Sequence, residues 1–227
     1  MQTSSLNSTK NIAAIVWDLD GTLYPADSDL SEAINNKLFE KITQKLECSQ
    51  AEALKQYEAV YNQLHSNTRT LNHFGINGEA FFISVWQELD LPKYIGPNPK
   101  LALLFKSHSL PQKQIIFTNT NTQETVANKL AAIGIDPASF DAIYTSIEAG
   151  HHKPDPDAFI YVCEQLQLPA EKLVYVGDRE RVDIEGAKNV GMKTILVHPD
   201  ITEEIESAAD AVVMGAEEVF ALFRTSR

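Results

Sequence analysis

Two aspartates two residues apart, Asp18 and Asp20, stand where the apolar run IAAIVW (12–17) stops, and Gly21 and Thr22 follow at once. Two negative charges at the tip of a buried strand repel each other unless each has a partner or a task. One carboxylate can attack an electrophile while its neighbour moves the proton. Three later stretches add to the set. FTNT (117–120) offers the Thr118 hydroxyl, Asn119 and Thr120; HKPDPDAF (152–159) offers Lys153; GDRERVD (177–183) offers Asp178 and Asp183. Clustered carboxylates drive each other's pKa upward unless a cation sits among them, and oxygen-only donors favour a hard ion, with Mg²⁺ the best fit. Thr118 and Lys153 are then left to clamp an anion. A nucleophilic acid, a proton-shuttling acid, a divalent cation and an anion clamp together describe phosphoryl transfer through an aspartyl-phosphate.

These residues need a scaffold that gathers them. IAAIVW (12–17), QIIFT (114–118), DAIYTS (141–146), LVYVG (173–177), KTILVH (193–198) and AVVM (211–214) are continuously apolar, as strands buried on both faces of a parallel sheet are. Helix signals lie between the later ones. Val126, Leu130 and Ile133 form a stripe ending at Gly134, Asp155 and Pro156 open another helix, and DIEGAKNVG closes at Gly191. Strand and helix alternate from about residue 97, which predicts an α/β, doubly wound (Rossmann-like) core. Ligands of such sheets bind outside the carboxyl ends of the strands, where all four polar stretches fall.

Residues 25–96 differ. Leu30, Ile34, Leu38, Ile42 and Leu46 recur every fourth residue behind Asp29 and Glu32, which have capping-box spacing. Ser49 and Glu52 precede Leu54, Tyr57, Tyr61 and Leu64, and Phe81, Phe82, Val85, Trp86 and Leu89 make a third stripe. HSNTRTLNHFGIN reads as a polar turn, and LPKYIGPNP (91–99) as a return linker. The expected organisation is a core of 1–24 and 97–227 with an all-helical cap domain, 25–96, inserted after the first strand as a lid.

DLDGTLY, FTNT, HKPDPDAF and GDRERVDIEGAKNVG, in that order, resemble the four motifs of the haloacid dehalogenase superfamily, over residues 12 to about 198. The resemblance implies a Mg²⁺-dependent phosphatase. Asp18 would be the nucleophile; Asp20 would protonate the leaving alcohol and then deprotonate the attacking water. Thr118 and Lys153 would bind the phosphoryl oxygens, with Asn119 beside them, and Gly21 and Thr22 would turn backbone N–H groups toward the phosphate. Mg²⁺ would be held by Asp18, Asp178 and the backbone carbonyl of Asp20, with Asp183 orienting a metal-bound water or Lys153.

Two positions depart from the family pattern: Arg179 replaces a small hydroxyl residue, and Val182 replaces an Asn. Surface pairing of Arg179 with Glu180 and Asp183 is preferred over contact with a substrate phosphate. Tyr24-Pro25 with FTNT is similar to the pyrimidine 5′-nucleotidase-like branch, which implies a nucleoside 5′-monophosphate as substrate. A phosphoglycolate or sugar-phosphate phosphatase, or a phosphomutase, is the alternative. A haloacid dehalogenase is opposed by Asp20, and a non-catalytic binding module by the intact set of polar residues. Tyr24, Tyr57, Tyr61, Phe74, Phe81 and Trp86 are available to stack on a base, but their spacing favours packing.

Net charge is −12, without a basic run to hold nucleic acid. Cys48 and Cys163 have no disulfide or metal spacing. His151 and His152 read as a solvated loop, Arg69 and His73 as exposed, and ITEEIESAAD (201–210) as an exposed acidic helix. No stretch spans a bilayer and the start lacks a secretory pattern, so a cytoplasmic protein is expected, monomer or homodimer, acting on a small phosphorylated metabolite.

Overall fold

The computed structural model describes residues 9–25, 28–64, 66–107, 110–120, 122–200 and 205–224. It separates into two compact units, Asp27–Tyr94 and the remainder of the chain. The larger unit carries a six-stranded parallel sheet in the order β3–β2–β1–β4–β5–β6. The strands are β1 Ala14–Trp17, β2 Lys113–Thr118, β3 Ala142–Thr145, β4 Leu173–Gly177, β5 Lys193–Val197 and β6 Ala211–Val213, each on one of the apolar runs. Parallel register sets Trp17 against Ile116 of β2 and Val176 of β4. Flanked on both sides and covered on both faces, all four residues of β1 are buried.

The chain lays β2 and β3 on one side of β1, then crosses back to lay β4, β5 and β6 on the other. The order therefore reverses between β1 and β4, and the crevice at that switch lies at the tips that carry Asp18 and Asp178. One sheet face packs Val16, Phe117 and Tyr175 against Phe159. On the other, the Trp17 ring sits 5.4 Å from Phe105 and 5.7 Å from Phe220, and its indole N–H donates to Gln114 Oε1 at 2.8 Å. Each such large apolar side chain contributes about 1.5–3 kcal/mol by burial.

The site-bearing helices start and stop on local chemistry. Thr122 caps α7 (Gln123–Ile133), which ends at Gly134 in the left-handed region, φ 87°. Asp155 caps α9 (Pro156–Leu166), with proline in the first turn. After β4 the chain makes one wide turn, Glu180–Ile184, before a short helix, Glu185–Asn189; the expected helix thus starts later than DIEGAKNVG suggests.

The smaller unit is helical: α1 Ser28–Leu46, α2 Gln50–Leu64, α3 Asn67–His73, α4 Gly78–Glu88 and a single turn, Leu91–Tyr94. Its own core joins Leu38, Ile42, Ala53, Leu71, Ile76 and Phe82. Tyr57 packs between Phe39 and Tyr61, at 5.3 and 5.6 Å, so these aromatics serve packing. Three expectations are corrected. The polar turn around Arg69 is α3, capped by Ser66 and anchored by buried Thr70 and Leu71. On α2 the inward residue of the first turn is Ala53, fully buried, while Leu54 is 41% exposed; Tyr57, four residues on from Ala53, keeps its expected place against the core. α1 begins at Ser28, so Asp29 lies in its first turn rather than before it.

The stretch expected as an acidic helix lies partly outside the described residues (201–204). Its remainder, 205–210, is irregular, and there Ser207 Oγ and the Ala208 N–H both donate to the Glu180 carboxylate at 2.7 Å. No helix among the described residues is long and apolar enough to cross a membrane.

Candidate active site

Asp18 leaves the tip of β1 with its side chain almost wholly buried. Lys153 Nζ lies 2.9 Å from Asp18 Oδ1 and 2.7 Å from Asp183 Oδ1, and donates to the Tyr175 hydroxyl at 2.6 Å. That hydroxyl in turn donates to the Phe117 carbonyl at 2.8 Å. Asn119 grips the Lys153 backbone from both ends, accepting its N–H at 2.9 Å and donating to its carbonyl at 3.0 Å. Asp183 also accepts the Arg179 N–H at 3.1 Å. Arg179 leans back over the cluster, Nη2 at 3.7 Å from Asp18 Oδ2 and Nε at 3.6 Å from Asp183 Oδ2.

Two glycines make this packing possible. A Cβ on Gly177, the last residue of β4, would overlap the Asp183 side chain. Gly21 sits at φ 85°, and a Cβ there would overlap the Asp178 carboxylate.

The carboxylates of Asp18, Asp178 and Asp183 each offer an oxygen within 4.8 Å of the others. Burial pushes the Asp18 carboxyl up, against the pull of Lys153. Burial, followed by the Asp18 charge, pushes Asp178 up to about 7. Asp18 Oδ2 is buried with no hydrogen-bond partner. An orphaned carboxylate oxygen facing further carboxylates is a cation's donor set in hard oxygen, and Mg²⁺ fits it.

Asp20 lives in different surroundings. Its carboxylate receives the Lys129 ammonium at 2.7 Å on Oδ1 and 3.0 Å on Oδ2, the Thr120 hydroxyl at 2.9 Å on Oδ2, and the Tyr24 hydroxyl on Oδ1. Burial would raise its pKa, but the Lys129 charge and the three donors prevail and hold it below the ordinary value. Its side-chain oxygens are thus turned to these partners and lie outside the three-carboxylate cluster.

Thr118, at the end of β2, is buried, and its Oγ1 accepts the Thr120 N–H at 3.1 Å, leaving its own proton to donate. Thr22 directs its hydroxyl to Asp178 Oδ1 at 3.3 Å and its N–H to the Leu19 carbonyl at 3.3 Å. Thr22 and Asn119, expected to meet phosphate, direct their side chains to Asp178 and to the Lys153 backbone. Arg179 pairs with Asp183 as anticipated and with Asp18 as well, whereas Glu180 turns away to Ser207 and Ala208.

Lys129 and Tyr175 escaped the sequence reading. Each leaves a trace: Lys129 interrupts the apolar stripe of α7 between Val126 and Ile133, and Tyr175 carries a polar tip in the middle of an apolar strand. A cavity of about 390 Å³ opens beside Asp178, lined among others by Gly21, Tyr24, Pro25, His198, Met214 and Glu217, room for a small molecule.

The family model described as haloacid dehalogenase-like hydrolase matches residues 12–191. The glyceraldehyde 3-phosphate phosphatase of Methanopyrus kandleri is 28% identical over 221 residues, covering 88% of this chain and 89% of that protein. Its namesake from Methanocaldococcus jannaschii is 30% identical, covering 82% and 85%. A ribulose-1,5-bisphosphate 5-phosphatase of Halopiger xanaduensis is 37% identical over 58% of this chain and 54% of its own length. Among solved structures, a HAD phosphatase from Thermococcus onnurineus superposes with a TM-score of 0.67 at 21% identity, over 93% of this chain and 97% of that one.

Proposed function

We propose that this chain, which belongs to the haloacid dehalogenase-like hydrolases, is a phosphatase that hydrolyses the phosphate monoester of a small sugar through an aspartyl-phosphate on Asp18. The observation that carries the reading is the buried Asp18 carboxylate, with Oδ1 on Lys153 and Oδ2 without a hydrogen bond, clustered with the carboxylates of Asp178 and Asp183. The curated relatives favour the sugar over the nucleotide: they are named for glyceraldehyde 3-phosphate and ribulose 1,5-bisphosphate. Tyr24, on which the nucleotide reading leaned, directs its hydroxyl to Asp20.

Asp18 attacks phosphorus as the bond to the sugar oxygen breaks, and Asp20 gives that oxygen its proton. Water then attacks phosphorus, Asp20 takes its proton, the acyl-phosphate bond breaks, and phosphate departs with Asp18 restored. Lys153 stabilises Asp18 as an anion and faces the phosphoryl oxygens; Thr118 donates to them. Asp18, Asp178 and the Asp20 carbonyl would hold Mg²⁺, whose charge offsets that of phosphate and carboxylates.

A panel of phosphate esters assayed for phosphate release with Mg²⁺ tests this. Triose, pentose and glycolate phosphates are expected to turn over faster than nucleoside monophosphates. Preference for the nucleotides would overturn the sugar assignment, and no release from any ester would overturn the phosphatase itself.

A further inference from the structure

Arg179 has no assigned part in this chemistry, yet it directly follows Asp178, where the family pattern has a small hydroxyl residue. Its backbone is tied down: the N–H donates to Asp183 Oδ2, and the carbonyl accepts the N–H groups of Asp183 and Ile184. The side chain is held differently. Glu180, its expected surface partner, is turned to Ser207 and Ala208. The guanidinium instead leans over the carboxylates, Nη2 at 3.7 Å from the orphaned Asp18 Oδ2 and Nε at 3.6 Å from Asp183 Oδ2. Both separations are too long for hydrogen bonds, so charge attraction alone holds it there. A guanidinium carries five N–H donors in a planar fork that matches phosphate oxygens. This side chain is 48% exposed, so the fork has room to turn.

We propose that Arg179 is a phosphate-binding residue: its guanidinium exchanges the Asp18 carboxylate for the phosphoryl oxygens of the ester, and does so when Asp18 and Asp178 share a cation. This rests on the phosphatase reading above. The negative charge that draws Arg179 toward Asp18 is the charge that a divalent cation on Asp18 and Asp178 would neutralise. Once it is neutralised, the strongest acceptor within reach of the fork is the phosphoryl group that Asp18 attacks, and its oxygens offer the short, charge-assisted hydrogen bonds that Asp18 and Asp183 do not. Arg179 therefore acts in opposite senses on two ligands. It competes with the cation for Asp18, and it adds donors to phosphate.

Calorimetric titration with Mg²⁺ alone, and with inorganic phosphate in saturating Mg²⁺, reads both effects in wild type and Arg179→Gln. In the variant, phosphate is expected to bind about tenfold more weakly, while Mg²⁺ alone binds more tightly. Arg179→Lys keeps the charge without the fork, and its phosphate affinity should fall in between. An arginine that only shapes the turn would weaken both ligands together. One that only screens the carboxylates would change Mg²⁺ binding and leave phosphate affinity where it was. Either result overturns the proposal. If Arg179→Gln does not fold, Arg179→Lys decides: a few-fold loss of phosphate affinity with Mg²⁺ binding kept supports the role, and unchanged phosphate affinity refutes it. A wild type that binds no phosphate in saturating Mg²⁺ overturns the phosphatase reading and this inference with it; phosphate bound equally by wild type and Arg179→Gln overturns the inference alone.

Discussion

Around Asp18, three carboxylates meet two cationic side chains, and one of these, Arg179, is half exposed. Around Asp20, one carboxylate meets one buried lysine and two hydroxyls. The two aspartates are separated by a single leucine, yet Asp18 is pushed up in pKa and Asp20 is held down. The Asp20 nest is balanced as it stands. The Asp18 nest carries surplus negative charge with an orphaned oxygen, and it reaches balance on gaining a cation. One carboxylate is therefore prepared to react, and the other is held to serve it.

The largest effect should come from removing the reactive acid. Asp18→Asn is expected to lower phosphate release by about 10³-fold or more while the fold persists, since the amide keeps the carboxylate's shape and Lys153 retains Asp183 as its counter-charge. Circular dichroism and a phosphate assay read both halves; substantial turnover in the variant would place the nucleophile elsewhere.

Next comes the cation. EDTA should abolish turnover and Mg²⁺ restore it. The metal-free protein offers a second readout with a definite sign. Asp178 titrates near 7 when folded and near 3.8 when unfolded, so the folded state binds the extra proton between these values. That stability is fully present below about pH 4 and is lost as pH rises through about 7. A Mg²⁺ concentration about a hundredfold above the Kd at pH 8 should raise the melting midpoint by about 5–10 °C at pH 8, and the same concentration much less at pH 5.5. Equal shifts at both pH values would remove Asp178 from the cation site.

The strands and the Asp18 cluster were legible in the sequence because apolar runs end in polar residues at fixed places along a parallel sheet. The Asp20 nest was not, because Lys129 reads as a helix surface charge until the fold shows that its face is buried. Tyr24 is buried, as the preference for packing anticipated, but the reach of its hydroxyl to Asp20 along a tight turn was not foreseen. In the helical unit the α2 stripe was misplaced at its first residue, because Ala53, small and fully buried, carries less apolar weight than exposed Leu54 beside it.

Arg179 tests the imbalance more gently. Its guanidinium partly offsets the carboxylates that a cation would neutralise, so Arg179→Gln should tighten Mg²⁺ binding by roughly three- to tenfold. Calorimetric titration decides it, and weaker binding in the variant would show that Arg179 shapes the site rather than competing for its charge.

The smallest effect belongs to an ion pair remote from both nests. Lys37 and Glu88 of the helical unit meet at 2.5 Å, closer than any lysine–carboxylate contact in the candidate site, yet their side chains are 34% and 59% exposed. Water solvates both groups nearly as well apart as together, so Glu88→Gln should cost less than about 1 kcal/mol in urea melts. Asp20→Asn leaves the Lys129 ammonium buried without its counter-charge and should cost about 3–5 kcal/mol. Comparable losses in the two variants would mean that burial is not what separates these pairs, and the contrast between a tuned interior and a solvated surface would fail at its simplest point.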